Sequence, residues 1–68
     1  MYIEIKTKDY FQNSNFNSIA DALIKAGHKY QLTLDGKYSA GNCVTITTDA
    51  PEAFMDGVDF TRSAVIVR

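Results

Sequence analysis

Apolar and polar positions change their period several times along the chain. Over residues 16–27, FNSIADALIKAG, the apolar residues Phe16, Ile19, Ala20, Leu23 and Ile24 recur at i, i+3, i+4, i+7 and i+8. That spacing lines all five along one side of a helix with 3.6 residues per turn. Asn17, Ser18, Asp21 and Lys25 take the other side, and Ser18 with Asp21 three residues on forms a weak capping box. Gly27 is a natural stop, because the residue just past a helix end often needs positive φ. The pattern predicts a core-facing helix over about 16–26.

Elsewhere the period is two. In residues 1–8, Met1, Ile3, Ile5 and Thr7 fall on one face and Tyr2, Glu4, Lys6 and Lys8 on the other, as in a strand buried on one side. Residues 9–15, DYFQNSN, form a connection that ends in candidate helix caps and carries two adjacent aromatics, Tyr10 and Phe11. One of the pair is expected under the helix and the other at the surface. After the helix, Tyr30, Leu32 and Leu34 alternate with Gln31 and Thr33, and Asp35-Gly36 supplies a strong two-residue hairpin signal. Two arrangements follow. Either residues 37–40 are a return arm before a second turn at Gly41-Asn42, or residues 35–42 are one longer loop. Residues 43–48, CVTITT, read as a β-branched strand with Val44 and Ile46 on one face.

Asp49 as cap, Pro51 in the first turn and Glu52 three residues after the cap predict a short second helix over about 50–56, ended by Gly57. A helix this short depends on packing, here of Phe54 and Met55. Residues 63–68, SAVIVR, are dense in β-branched side chains and are expected as a strand covered on both faces near the middle of the sheet. The whole is an α+β fold in one domain, residues 1–68. It has a four- to five-stranded, mainly antiparallel sheet with the main helix packed on one face, in the order β-α-β-β(-β)-α-β. This is the split βαβ connectivity of ferredoxin-like domains, a match to a topology and not to a family. Metal-carrying domains of that shape bear a CxxC in the first loop, where this chain has DYFQNSN, and regulatory ones place Gly there, whereas none stands between the first strand and the first helix.

Composition narrows the possibilities. At 68 residues, the chain buries only about 60% of the surface its unfolded form exposes, so its stability is expected to be roughly 3–5 kcal/mol unless a partner adds to it. Cys43 is the sole cysteine and His28 the sole histidine, so an internal disulfide is excluded and a structural zinc site lacks ligands. With 46% hydrophobic and 22% charged residues the chain is an ordinary globular one, and a net charge of −1 gives no bulk attraction to nucleic acid. No apolar run approaches a membrane span, and the alternating start differs from a signal peptide. A cytoplasmic location is expected, the host cytosol if the chain is phage-encoded.

Candidate chemistry is sparse. His28 sits where an imidazolium would face the negative helix end, and Cys43 reads as a small buried residue. No nucleophile–base pair, Gly-rich phosphate loop or metal spacing occurs, so no catalytic, cofactor or metal residue is assigned and none of these groups is expected. The most distinctive stretch is acidic and apolar together: Asp49, Glu52, Asp56 and Asp59 alternate with Phe54, Met55, Val58 and Phe60. As a contact surface, Asp49, Glu52, Phe54, Met55, Asp56, Asp59 and Phe60 would suit a basic site on another protein. As plain structure, the same residues are helix caps and a solvated face. A secondary surface, Tyr2, Lys6, Lys8, Tyr10 and Phe11, interleaves basic and aromatic residues.

These features point to a small non-enzymatic protein-binding module. The best fit by size is a phage- or mobile-element-type inhibitor, of the anti-CRISPR or anti-restriction class, that blocks a larger protein or complex such as a nuclease by surface complementarity. Two alternatives belong to other classes: a nucleic-acid-binding module, the less favoured, and a homo-oligomeric structural or regulatory subunit, with a homodimer as its simplest form.

Overall fold

Among the described residues, four strands and one α-helix follow one another in the expected order. The computed structural model describes residues 1–38 and 41–68, and side chains for residues 1–34 and 43–68. Strand β1, Tyr2–Thr7, leads through a 3₁₀ turn at Tyr10–Gln12 into helix α1, Ser14–Ala26. Strands β2, Tyr30–Tyr38, and β3, Gly41–Thr48, form a long hairpin. Two 3₁₀ segments, Glu52–Gly57 and Arg62–Ala64, then lead to β4, Val65–Val67.

The sheet order is β2-β3-β1-β4, and every neighbouring pair is antiparallel. Because β1 and β2 both run against β3, they are parallel to each other with β3 between them, which is the split βαβ arrangement. Register places Ile3 opposite Ile46 and Val67, and Ile5 opposite Val44 and Val65, so one face of β1, β3 and β4 is continuous apolar surface. Phe16, Ile19 and Leu23 of α1 close over that face, joined by Ala50 and Met55. Tyr2, Glu4, Lys6, Thr45 and Thr47 stand on the opposite face with Gln31, Thr33 and Ile66.

Helix α1 begins earlier than the periodicity predicts. Asn13 is the cap and its side-chain oxygen accepts from the Phe16 N–H at 2.9 Å, so Ser18 and Asp21 lie inside the helix. Gly27 adopts the left-handed conformation, φ 78°, as expected of the stop. The Gly27 N–H donates to the Ile24 carbonyl and the His28 N–H to the Leu23 carbonyl, the paired bonds of a Schellman motif. Within the predicted stripe Leu23 is fully buried, but Ile24 is 58% exposed. The apolar arc is wider than the face the sheet accepts.

Three further expectations change. Residues 50–56 do not form an α-helix: Phe54 donates to Pro51 and Val58 to Met55, i to i+3 bonds, over a 3₁₀ segment capped by Pro51 with no side-chain bond. Asp49, the predicted cap, is engaged elsewhere, and six residues between Pro51 and Val58 give an α-helix little length over which to gain. The run SAVIVR is not central; its three-residue strand β4 lies at an edge beside β1, and Ile66 is 41% exposed. β-Branched density reflects fit to a pleat and not coverage of both faces. Finally, Asp35-Gly36 is not the hairpin turn. Backbone pairing continues to Tyr38 opposite Gly41, with a register shift between Asp35 and Tyr38. Gly41-Asn42 belongs to β3, and residues 39–40 of the predicted return arm lie outside the described residues.

Candidate functional site: the uncovered edge at β2

The Schellman end of α1 delivers the chain into β2 at a pinned point. The Lys29 carbonyl accepts from the Thr48 hydroxyl at 2.7 Å and from the Asp49 N–H at 3.4 Å. The second of these bonds spans the residues flanking the Tyr30–Thr48 pair, which identifies it as a non-hydrogen-bonded pair of the antiparallel ladder. By alternation, the N–H and C=O groups of Gln31 and Thr33 point toward β3. Those of Tyr30, Leu32 and Leu34 point away from it, along the open edge.

The same three residues carry the side chains that the core leaves out. Leu32 is paired with Ile46 and Leu34 with Val44, so both stand on the helix-bearing side of the sheet. Ile46 and Val44 are nonetheless buried, whereas Leu34 is 58% exposed and Leu32 and Tyr30 are just over one-third exposed. No β2 residue belongs to the core cluster among the described residues. Phe16, Ile19 and Leu23 of α1 share the core cluster with residues of β1, β3 and β4, and β2 lies beyond it. Residues 30–34, YQLTL, hold no charge and no proline, the devices by which an edge strand is ordinarily protected from pairing.

At the start of β2 the His28 Nδ1 lies 3.0 Å from the Asp49 carboxylate, and the imidazole meets the Phe54 ring edge-on at 5.1 Å. This contact ties the segment after β3 to the helix end and occupies the group predicted to cap residues 50–56. It does not assemble a nucleophilic site with the lone thiol. Cys43 is buried and lies five residues along β3 from Thr48, roughly 17 Å at strand rise.

The acidic stretch is divided between surface and interior. Asp49, Glu52, Asp56 and Asp59 are exposed, Phe54 and Phe60 are half-buried against the core, and Met55 is buried within it. Met55 is therefore withdrawn from any contact surface, since packing of this residue holds the 3₁₀ segment down. Arg62 lies 3.7 Å from Asp56 and 4.9 Å from the centre of the Phe60 ring, neutralising part of the patch. Glu52, Asp56 and Arg62 border an open groove of about 270 Å³, and Ser18, Asp59 and Thr61 border another of about 240 Å³. The buried Asn15 joins the second groove to the fold, its side-chain oxygen accepting from the Thr61 N–H at 2.7 Å.

The secondary surface is split by the sheet. Tyr2 and Lys6 stand on its open polar face, where the Tyr2 hydroxyl donates to Glu4 at 3.3 Å. Burial, reinforced by the Glu4 carboxylate, pushes the Tyr2 phenol above its ordinary value. Lys8 is exposed in the connection beyond β1. Tyr10 is on the core side, edge-on to Phe16 at 5.0 Å, and Phe11 stacks on it at 4.1 Å while remaining 70% exposed. Tyr2 and Tyr10 thus belong to different sides of the molecule.

Reading the sequence alone places Tyr30, Leu32 and Leu34 on a strand but misses them as surface. The signal was present as an alternating run free of charge; its meaning depends on which strand ends the sheet. Among the described residues no cluster of three or more His, Cys, Asp or Glu is arranged to hold a metal ion, and no helix is long and apolar enough to cross a membrane. No protein-family model, curated protein or solved structure matches the chain.

Proposed function

We propose that this chain is a small, non-enzymatic protein-binding module whose contact strand is β2. The observation that carries the reading is the exposure of Leu32 and Leu34 on the helix-bearing side of the sheet, beside a row of outward-pointing backbone groups. An edge of this kind takes up an added strand: main-chain bonds give affinity, and alternate apolar side chains give register. The acidic residues Glu52, Asp56 and Asp59 then form a solvated margin and not the principal contact.

A photoreactive benzophenone side chain placed at position 34, and at position 47 on the open polar face as the comparison, tests this in cells. Protein adducts concentrated at position 34 are expected. Adducts equal at both positions, or nucleic acid recovered from position 47 alone, would overturn it. The identity of the adduct separates two modes of action, since a larger host protein there corresponds to an inhibitor and a second copy to self-assembly.

A further inference from the structure

We infer that the partner of β2 is a second copy of this chain, joined by antiparallel β2–β2 pairing about a two-fold axis through Leu32 to give one continuous eight-stranded sheet. This rests on the reading of β2 as the contact strand and adds the occupant and the register.

The argument begins with hydrogen bonding. The outward N–H and C=O groups belong to Tyr30, Leu32 and Leu34. A two-fold at Leu32 therefore makes Leu32 and its copy a hydrogen-bonded pair, with Tyr30 and Leu34 exchanging bonds on either side. No backbone group has to turn. Because paired positions have the same parity, both helices stay on one side of the joined sheet, and the two apolar stripes meet as neighbours within reach across the strand pair.

The sequence of β2 is self-complementary in this register. Leu32 meets Leu32, Tyr30 meets Leu34 and Gln31 meets Thr33, while position 29, a lysine, falls opposite position 35, an aspartate. Opposite charges therefore flank an uncharged centre twice in the dimer. Opposite charges directly opposed across strands are favourable, so charge supports the Leu32 register. An isologous interface of this type closes at two copies and removes the exposed edge of both. The net charge of −1 per chain offers little bulk repulsion to association.

Sedimentation equilibrium of the full chain over a range of concentrations, with far-UV circular dichroism as the fold control, tests the inference. The natural chain is expected to dimerise reversibly. Leu32→Lys sets two ammonium groups against each other at the axis and is expected to raise the dimer Kd by at least about tenfold, with an unchanged dichroism spectrum; Leu34→Lys serves if that variant does not fold. Lys29→Asp is expected to weaken the dimer and Lys29→Asp with Asp35→Lys to restore it. A natural chain that stays monomeric at millimolar concentration overturns the inference, and adducts of other proteins at position 34 would then leave the contact strand standing. A dimer indifferent to Leu32→Lys and Leu34→Lys overturns both. Loss on Lys29→Asp without rescue by the double exchange overturns the register.

Discussion

Leu23 and Ile24 are consecutive residues of α1 with opposite surroundings, and alanine at each position separates core packing from helix propensity. Leu23 is fully buried among side chains of the sheet and the 3₁₀ segment, whereas Ile24 is 58% exposed. Truncating a buried leucine removes its transfer free energy and leaves a cavity, for a loss of about 3 kcal/mol within the usual range of 2–5. At Ile24 less than half the side chain is removed from water. With about 2–3 kcal/mol for complete burial, the loss there is about 1 kcal/mol. Alanine returns about 0.4 kcal/mol as the better helix former, leaving roughly 0.5. Urea unfolding followed by far-UV circular dichroism reads the difference. With m about 1 kcal/mol/M for a chain of this size, the midpoint should fall by about 3 M for Leu23→Ala and about 0.5 M for Ile24→Ala. The first shift is comparable with the whole stability expected of so small a domain, so the series belongs in a stabilising osmolyte and at one protein concentration. Equal losses at the two positions, or a loss below about 1 kcal/mol at Leu23, would refute the account of which helix face meets the sheet.

Two other outcomes can be measured on the same chain. Gly27→Ala forces a Cβ into the left-handed region at φ 78° and should cost about 1–2 kcal/mol in urea midpoint terms, although nothing crowds the site; Gly57→Ala, where φ is not left-handed and space is also open, should not weaken the fold. The Tyr2 phenol is held above its ordinary value of 10.0, so the folded chain keeps that proton more tightly than the unfolded one. Its contribution to stability is then complete below pH 10.0 and lost as pH rises through the folded value. Tyr2→Phe should flatten this alkaline decline, read as urea midpoints measured across the alkaline range.

Much of the local structure could be read from residue order. The five-residue apolar stripe named α1, Gly27 named its end, and alternation in residues 1–8 and 30–34 named two strands, because helix and pleat impose different periods on whichever residues face a core. The same reasoning failed where the answer lay with a distant partner. Asp49 has the makings of a cap, but His28, 21 residues away, holds its carboxylate and leaves the following segment as a 3₁₀ turn. Asp35-Gly36 is a sound turn signal that pairing of Tyr38 with Gly41 overrides. SAVIVR has the composition of an interior strand, yet β3 pairs on both of its sides and β4 on one, which consigns the run to an edge.

The candidate site shows the division most clearly. Residue order alone sets Tyr30, Leu32 and Leu34 on one face with no charge between them. That this face is left uncovered follows from the packing of the whole chain. A single helix is about 10 Å across and strands lie roughly 4.8 Å apart, so α1, packed with β1 and its neighbours β3 and β4, does not reach over β2 as well. Strand order, which no local period encodes, chose the strand left outside.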